Sequence, residues 1–178
     1  AVRGSGSRNR RQVAAAVDAE ALGVTFVSGG SEADNLALQG AARATDGPLI
    51  SSPLEHSAIL ETLGALCRPD RETVWIAHDD VGRVDPEALL AACSERRRAV
   101  VSIAAANGEI GTVQPLGTLV EQARAGGASW FHTDAVQALG RVDLDLSGSG
   151  VDSAALSPHK LGGPVGVGLL YLRTGLHL

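Results

Sequence analysis

The sequence alternates short apolar segments with amphipathic helical patterns, and this alternation constrains the fold more than any other feature. The apolar segments predict seven strands, at 24–28, in a segment ending near Ser52, and at 73–77, 99–106, 129–134, 151–157 and 165–173. The helical patterns between them begin near Ser31, Ser57, Pro86 and Pro115. Strands separated by helices of about 10–14 residues are typical of βαβ units, and so of a parallel sheet covered on both faces. The sequence has no repeat, linker or shift of composition, so we predict one α/β domain over residues 1–178, with a mostly parallel sheet sandwiched by helices.

Local signals place the ends of several helices. Ser31 is expected to cap the first of them, and Pro86 is expected in the first turn of a later one. Gly126 and Gly127 are expected to end the helix that begins near Pro115. The first twenty residues are rich in Arg, Ser and Gly, which predicts a frayed start.

Charge and composition exclude several classes of protein. The net charge of −5 argues against a nucleic-acid binder, and the basic runs at 8–11 and 96–98 are expected to be solvated. No segment has the roughly 18 consecutive apolar residues of a membrane span, and the start of the chain lacks the apolar run of a signal peptide. Cys67 and Cys93 form no disulfide framework and are expected to be small core residues. We therefore predict a cytoplasmic protein that binds no membrane.

Polar residues follow the predicted strands at the points where the strands end. In open α/β sheets, ligands bind outside the carboxyl ends of the strands, so these residues define a candidate site. They are Gly29-Gly30-Ser31, Glu55-His56, Asn107-Gly108-Glu109, Asp134 with Gln137, and Ser157-Pro158-His159-Lys160.

Two of these groups indicate particular chemistry. The segment Gly29-Gly30-Ser31 lies between a strand and a helix, where backbone N–H groups and a hydroxyl can hold a phosphate; a plain tight turn is the alternative. It matches no nucleotide-binding loop. Lys160 is the single lysine among 15 cationic residues and stands in an apolar stretch. We expect it to be partly desolvated and to act as a Schiff-base nucleophile, because arginine cannot form an imine. The alternative is an exposed lysine without a role.

Two further residues complete the pattern. Asp134 can keep a pyridine nitrogen protonated, although it can also be an ordinary cap of the segment that follows it. His56 can stack on a ring and move protons, although a lone histidine is more often structural. A phosphate seat, an imine-forming lysine, a carboxylate for a ring nitrogen and a stacking histidine are together what pyridoxal phosphate requires.

Five stretches of the sequence resemble one known family. They read FVSGGSEADNLALQG, EHSAILETL, VSIAAANGEIGTVQPL, FHTDAVQALGRVDLDL and VDSAALSPHKLGGPVGVGLLYLR. In this order, over about residues 24–173, they resemble the large domain of the class V aminotransferase group, and specifically cysteine desulfurases of the NifS and IscS type. The resemblance implies an aspartate-aminotransferase-like fold, pyridoxal 5'-phosphate as cofactor and a homodimer. It also implies that L-cysteine is converted to L-alanine, with the sulfur passed through a loop cysteine to an acceptor protein, as in iron–sulfur cluster biogenesis.

The resemblance also implies roles for individual residues. Lys160 would form the Schiff base with the cofactor, while Asp134 would pair with the pyridine nitrogen and Gln137 with the 3-hydroxyl group of the ring. His56 would stack on the ring and assist proton transfer. The residues that would hold the phosphate are Gly30, Ser31, Ser157 and His159.

The sequence departs from the family pattern at residues 105–111. The family usually has His-x-Asn-Asn-Glu-Ile-Gly where this chain has Ala-Ala-Asn-Gly-Glu-Ile-Gly. Gly108 thus replaces an asparagine that helps to hold the substrate carboxylate and the ring hydroxyl, which leaves Asn107 as the candidate substrate ligand. Ser31 stands where the family usually has threonine, and it keeps the hydroxyl group.

A second departure concerns the end of the chain. Leu178 precedes the family's small C-terminal domain, its catalytic-cysteine loop and its substrate-binding arginine, so the small domain is expected to be absent and the isolated chain inactive. Neither Cys67 nor Cys93 falls at the position of the family's nucleophile. Three functions stay open: a cysteine desulfurase, another class V aminotransferase or selenocysteine lyase, and an inactive fold-preserving fragment or scaffold. The segment His78-Asp79-Asp80 is expected to be a solvated turn rather than a metal site.

Overall fold

A single seven-stranded sheet organises the chain. The computed structural model describes residues 2–178, with side chains from residue 8 onward. The strands are β1 (Val24–Val27), β2 (Leu49–Ser51), β3 (Thr73–Trp75), β4 (Val100–Ser102), β5 (Trp130–Asp134), β6 (Ser153–Leu156) and β7 (Gly168–Leu172). Their order across the sheet is β1-β7-β6-β5-β4-β2-β3. All seven strands lie within the segments predicted from the sequence.

Strand directions confirm the mostly parallel sheet that the sequence predicts. Strands β2 to β6 pair with one another in parallel, whereas β7 is antiparallel to both of its neighbours, β6 and β1. A parallel connection needs a crossover of a dozen or more residues that usually includes an α-helix. Only a short 3-10 helix (Pro158–Leu161) and a glycine-rich turn join β6 to β7, so β7 runs back alongside β6.

Six α-helices accompany the sheet in the described residues. They are α1 (Val2–Ala15), α2 (Gly30–Ala44), α3 (Ser57–Leu66), α4 (Pro86–Glu95), α5 (Leu116–Ala125) and α6 (Leu146–Ser149), with a further 3-10 helix at Ala21–Gly23. The expected role of Pro86 is confirmed: it opens α4, and the Asp85 side chain caps the helix by accepting a hydrogen bond from the Glu87 N–H at 2.9 Å. None of the helices in this described part is long and apolar enough to cross a membrane.

The helices cover the sheet on both faces. Successive residues of a strand point to opposite faces, so Val100 packs with α2 and α3 while Val101 packs with α4 and α5. Trp130 and Phe131 divide between the two faces in the same way. The apolar partners from the helices are Leu38, Ile59 and Leu63 on the first face and Leu89, Leu119 and Ala123 on the second.

Three local predictions are wrong. Ser31 does not cap α2, because the helix begins one residue earlier with Gly29 as its N-cap; the Glu32 carboxylate instead accepts a hydrogen bond from the Ser28 N–H at 2.5 Å. The start of the chain is helical rather than frayed, because Ala14 and Val17 beside it are buried in the core. Cys67 is exposed at the C-terminal end of α3, so Cys93 alone is a buried cysteine.

A buried carboxylate links the sheet to a helix of one outer layer. It lies at the start of β6, at the edge of the sheet opposite the carboxyl ends of the parallel strands. Asp152 is only 1% exposed and accepts a hydrogen bond from the Phe131 N–H at 2.7 Å. It also pairs with Arg173 at 2.6 Å and with Arg124 of α5. One carboxylate therefore links β5, the start of β6, the end of β7 and a helix of the outer layer.

Replacing Asp152 with alanine is expected to lower the free energy of unfolding by about 2 kcal/mol. Removal of one partner of a buried ion pair costs more than this when all the groups are buried, but here both arginines reach solvent. Urea denaturation measures the loss. Asp70→Ala is the matched control, because the Asp70 side chain is 75% exposed and its pairing with Arg68 contributes little. Equal losses in the two variants would contradict a bridging role for Asp152.

Candidate functional site

The residues that follow the strands meet around one cavity of about 420 Å³. This volume is within the range of small-molecule and cofactor sites. The cavity forms because β2, β4, β5 and β6 are parallel and end at the same edge of the sheet. From the predicted strand-end groups, the lining residues are Gly30, Ser31, Glu55, His56, Asn107, Gly108, Glu109, Asp134, Gln137, His159 and Lys160.

The first turn of α2 forms one wall of the cavity. A helix begins with N–H groups that have no acceptor inside the helix, so the N–H groups of Gly30, Ser31 and Glu32 are available to an anion. A Cβ atom on Gly30 would lie 2.7 Å from the Cγ2 atom of Val136, so only glycine fits between α2 and the segment after β5. Close packing therefore fixes this helix start at the cavity.

Ser157 and His159 extend this wall from the end of β6. Ser157 is fully buried, and its Oγ atom lies 2.7 Å from Nδ1 of His159. His159 itself is exposed and lines the cavity. The buried Ser157 hydroxyl thus orients the exposed imidazole of His159.

Asp134, the last residue of β5, presents a buried carboxylate to the cavity. Its Oδ1 atom accepts a hydrogen bond from the Val136 N–H at 2.9 Å, while Oδ2 has no hydrogen-bond partner among the described residues. Burial, followed by the negative charge of Asp34, raises the pKa of Asp134 to about 6, against the opposing effect of the Val136 N–H. A cation placed beside Oδ2 would favour the ionised carboxylate.

A chain of buried polar side chains lies behind Asp134. The Trp130 Nε1–H donates to Ser153 Oγ at 3.0 Å, Ser153 Oγ lies 2.9 Å from His132 Nδ1, and His132 Nε2 lies 3.1 Å from Asp34 Oδ1. Indole N–H can only donate, so the Ser153 hydroxyl is free to donate to Nδ1, which leaves the Nε2–H of His132 to donate to Asp34. The network therefore gives Oδ1 of the buried Asp34 carboxylate a hydrogen-bond donor and fixes its position in the cavity wall.

Glu55 adds a third acidic group to the wall. Its Oε1 atom accepts a hydrogen bond from the Ala104 N–H at 2.8 Å, whereas Oε2 is buried without a partner among the described residues. Burial raises the pKa of Glu55 well above the usual range of a glutamic acid. The wall thus contains several carboxyl groups that repel one another when they are ionised.

His56 is the N-cap of α3, as expected for a histidine that begins a helix. Its Nδ1 atom accepts a hydrogen bond from the Ala58 N–H at 3.1 Å. In the neutral imidazole the proton is therefore on Nε2, and this second nitrogen is free to donate within the cavity that His56 lines. The cap role and the functional role of this residue are compatible.

Lys160 lies at the rim of the cavity on the 3-10 helix after β6. The expectation that it is desolvated is wrong, because its side chain is exposed. The apolar residues that follow it face solvent instead of covering it: Leu161 is 47% and Val165 is 86% exposed. Lys160 remains the single amine side chain of the sequence, and it lies on the same cavity as Asp134 and His56.

Asn107 stabilises its own loop. Its Oδ1 atom accepts hydrogen bonds from the N–H groups of Glu109 at 2.8 Å and Ile110 at 3.2 Å, and its Nδ2 donates to the Leu54 carbonyl at 3.0 Å. These contacts use both ends of the amide. They favour a structural task for Asn107 over the substrate contact expected for it.

Sequence reasoning missed three side chains of this region. Asp34, His132 and Arg141 were given no role, although a signal existed for two of them. His132 precedes Asp134 by two residues on a strand and so shares its face of the sheet, and Asp34 lies one turn after Ser31 on α2. Arg141 carried no signal, because its contacts depend on how the segments after β5 and β6 pack.

The segment at His78 behaves as a turn. The Asp79 carboxylate accepts hydrogen bonds from the N–H groups of Val81 and Arg83, and so holds the turn together. Within residues 8–178, no group of three or more histidine, cysteine or acidic side chains is arranged to hold a metal ion.

The family model of the class-V aminotransferases matches residues 6–177 of this sequence. The chain belongs to the class-V aminotransferase family. Enzymes of this family, the cysteine desulfurases included, depend on pyridoxal phosphate.

Curated relatives and solved structures agree with this membership. The chain is 38% identical to a cysteine desulfurase IscS of Clostridium botulinum (strain Kyoto / Type A2), over 95% of this chain and 43% of the relative. It is 45% identical to a cysteine desulfurase of Cereibacter sphaeroides, over 94% and 44%. A solved NifS-like protein superimposes with a TM-score of 0.91 at 32% identity, over 97% of this chain and 48% of its own. The structure of SspA in complex with cysteine superimposes with a TM-score of 0.88 at 31% identity, over 96% and 50%.

These relatives are longer proteins. The class-V chain described here spans less than half the length of the curated relatives it matches. What it shares with the solved structures is the fold.

The raised pKa of Asp134 predicts a pH-dependent contribution to stability. Because the folded protein favours the protonated carboxyl group, ionisation of Asp134 destabilises the fold as the pH rises from about 4 through about 6. Asp134→Asn cannot ionise, so the wild-type protein should lose stability relative to this variant over that interval. Urea denaturation at a series of pH values measures the difference.

The matched control is Asp34→Asn. It removes the negative charge nearest to Asp134 but keeps an oxygen that can accept the His132 hydrogen bond. When Asp34 is replaced by asparagine, the pH interval over which ionisation of Asp134 destabilises the fold should move to lower pH. A stability difference between wild type and Asp134→Asn that stays constant with pH would refute the assignment.

Proposed function

We propose that residues 1–178 form the pyridoxal-phosphate-binding large domain of a cysteine desulfurase, which converts L-cysteine to L-alanine and passes the sulfur to an acceptor. The observation that carries the proposal is that one cavity gathers an amine, a buried carboxylate with a free oxygen, a histidine with a free nitrogen and a helix start. Each of these groups matches one part of the cofactor.

The donor set of the cavity fits pyridoxal phosphate in detail. Oδ2 of Asp134 has no partner in the part of the chain that the structure describes, so it can pair with the protonated ring nitrogen. The open N–H groups at the start of α2, with the hydroxyl group of Ser31 and the imidazole of His159, can hold the phosphate, and the buried Ser157 would contribute by orienting that imidazole. When it is bound, the cofactor supplies an electron sink for reactions at the substrate Cα atom.

Individual residues then divide the remaining tasks. The amine of Lys160 would anchor the cofactor and could move protons at the cavity rim. His56 would stack on the ring and could donate a proton from Nε2, because Nδ1 accepts the hydrogen bond that caps α3. Gln137 would bind the 3-hydroxyl group of the ring.

The relatives support cysteine as the substrate. Two are named cysteine desulfurase, and the SspA structure contains cysteine. The reaction we propose breaks the C–S bond of cysteine and forms an S–S bond with an acceptor thiol, so that cysteine and a thiol give alanine and a persulfide. We also propose a sulfur-acceptor protein as partner, a homodimer, and a reducing cytoplasmic compartment, in keeping with two cysteines that form no disulfide.

Neither cysteine of this chain suits the role of acceptor thiol. Cys67 lies at the end of α3 remote from the cavity, about 15 Å along the helix axis from His56 at its start. Cys93 is buried, and this burial raises the pKa of its thiol to about 11. We therefore propose that the acceptor thiol is supplied from outside residues 1–178.

The Lys160→Arg variant tests the cofactor site. Wild-type protein mixed with pyridoxal phosphate should gain visible absorbance, and borohydride reduction should then add the cofactor mass to the peptide that contains Lys160. Arginine keeps the positive charge but cannot form an imine, so the variant should lose both the absorbance and the label. Because the sequence has no other lysine, the α-amino group of the chain is the one other amine that can react, and peptide mapping separates it from Lys160. Folded wild-type protein that stays colourless and unlabelled would refute the proposal.

A further inference from the structure

Gly108 and Gln137 occupy the same small space in the cavity wall. A Cβ atom on Gly108 would lie 2.6 Å from Cδ, 2.8 Å from Oε1 and 2.9 Å from Nε2 of Gln137. Real Cβ atoms do not approach other atoms so closely, and therefore the Gln137 amide fills the place that a side chain at position 108 would take. The backbone of Gly108 does not have a positive φ, so its lack of a side chain is a matter of space.

Arg141 holds the Gln137 amide in this place. Its guanidinium donates to Oε1 of Gln137 at 2.5 Å and to the Gln137 carbonyl at 3.2 Å. A second guanidinium nitrogen donates to the carbonyl of Lys160 at 3.0 Å. One exposed side chain thus connects the segment after β5 with the turn that carries Lys160.

The Arg141 contact also determines which end of the amide is free. A guanidinium only donates, so the amide atom it contacts must be the oxygen. The NH₂ group of Gln137 is left without an acceptor among the described residues, on a residue that lines the cavity. A group that binds there must accept a hydrogen bond, and the nearby guanidinium favours an anionic oxygen.

We propose that Arg141 is a positioning residue that holds the Gln137 amide over Gly108 with its NH₂ group available to an anionic ligand oxygen, and that a side chain at position 108 would displace the amide from this place. The inference rests on the proposed function, in which that oxygen belongs to the cofactor ring. It adds a residue outside the expected site, and it gives the glycine at position 108 a consequence, which is room for the Gln137 amide.

Two variants test the proposal through binding of pyridoxal phosphate, measured by equilibrium dialysis and by the visible absorption spectrum. Arg141→Met keeps the apolar stem but removes every donor, and it should weaken binding about five- to tenfold, as expected for one oriented hydrogen bond. It should also shift the absorption maximum, which a general loss of stability would not do. Arg141→Lys restores one donor and should recover part of the affinity. Arg43→Met, at the far end of α2, is the matched control and should bind as the wild type does.

A double-mutant cycle tests the steric part. Gly108→Ala should weaken binding because the new methyl group displaces the Gln137 amide, and it should have little further effect when Gln137 is already alanine. Gly64→Ala is the control, since Gly64 lies within α3 with no atom within 4 Å of its added Cβ. Equal losses from Gly108→Ala in both backgrounds would overturn the steric argument.

The side-chain amide of Gln137 gives a readout that needs no cofactor. In ¹H–¹⁵N spectra of the protein alone, Arg141→Met and Gly108→Ala should each shift the Gln137 amide signals, whereas Arg43→Met and Gly64→Ala should not. If the wild type fails to bind pyridoxal phosphate, the proposed function fails and the amide signals still decide whether Arg141 positions Gln137. If the wild type binds and the Arg141→Met and Gly108→Ala variants bind equally well, with unshifted Gln137 signals, this inference alone is overturned.

Discussion

The parallel pairing of β5 with β4 and β6 is the constraint on which the site depends. Its register sets His132 opposite Ser153, and this explains the hydrogen bond between their side chains. Two residues further along the same face, Asp134 reaches the carboxyl edge of the sheet. A shift of one residue would turn both side chains into the opposite helix layer, which is apolar. The register of the sheet therefore determines which charged and polar side chains reach the site.

Three acidic side chains share the wall that this register creates. Each of them has one oxygen in a hydrogen bond within the described residues: Asp34 Oδ1 with His132, Asp134 Oδ1 with the Val136 N–H, and Glu55 Oε1 with the Ala104 N–H. Burial of such groups is unfavourable unless something pairs with them. A ligand with a protonated ring nitrogen would relieve this cost at Asp134, because a neighbouring cation favours the ionised carboxylate.

The sequence was sufficient for the architecture because the strands and helices each bury a periodic apolar pattern. Seven strands and the four principal helices lie where periodicity and end signals predict them, and the strand-end rule gathered most of the cavity residues. It did not predict that Lys160 is exposed, with apolar sequence neighbours that face solvent, or that the amide of Asn107 is hydrogen-bonded within its own loop. Both failures concern side-chain surroundings, which local sequence does not determine. The prediction of a frayed chain start was wrong for a related reason. Burial of Ala14 and Val17 in the core stabilises this helix and outweighs the weak helix propensity of the neighbouring residues.

Gly108 shows how such surroundings decide the chemistry of a site on a shared fold. Class-V membership predicts where the backbone of the 105–111 loop runs, but not which atoms occupy the space above it. In this chain the Gln137 amide, from the segment after β5, fills that space. Gly108 leaves room for it, and Arg141, four residues after Gln137, holds it there. A hydrogen-bond donor at one point of a cavity can thus come from a different element than the loop beside it. The chemistry that this cavity can support therefore depends on the side chains that meet there, and the fold alone does not determine it.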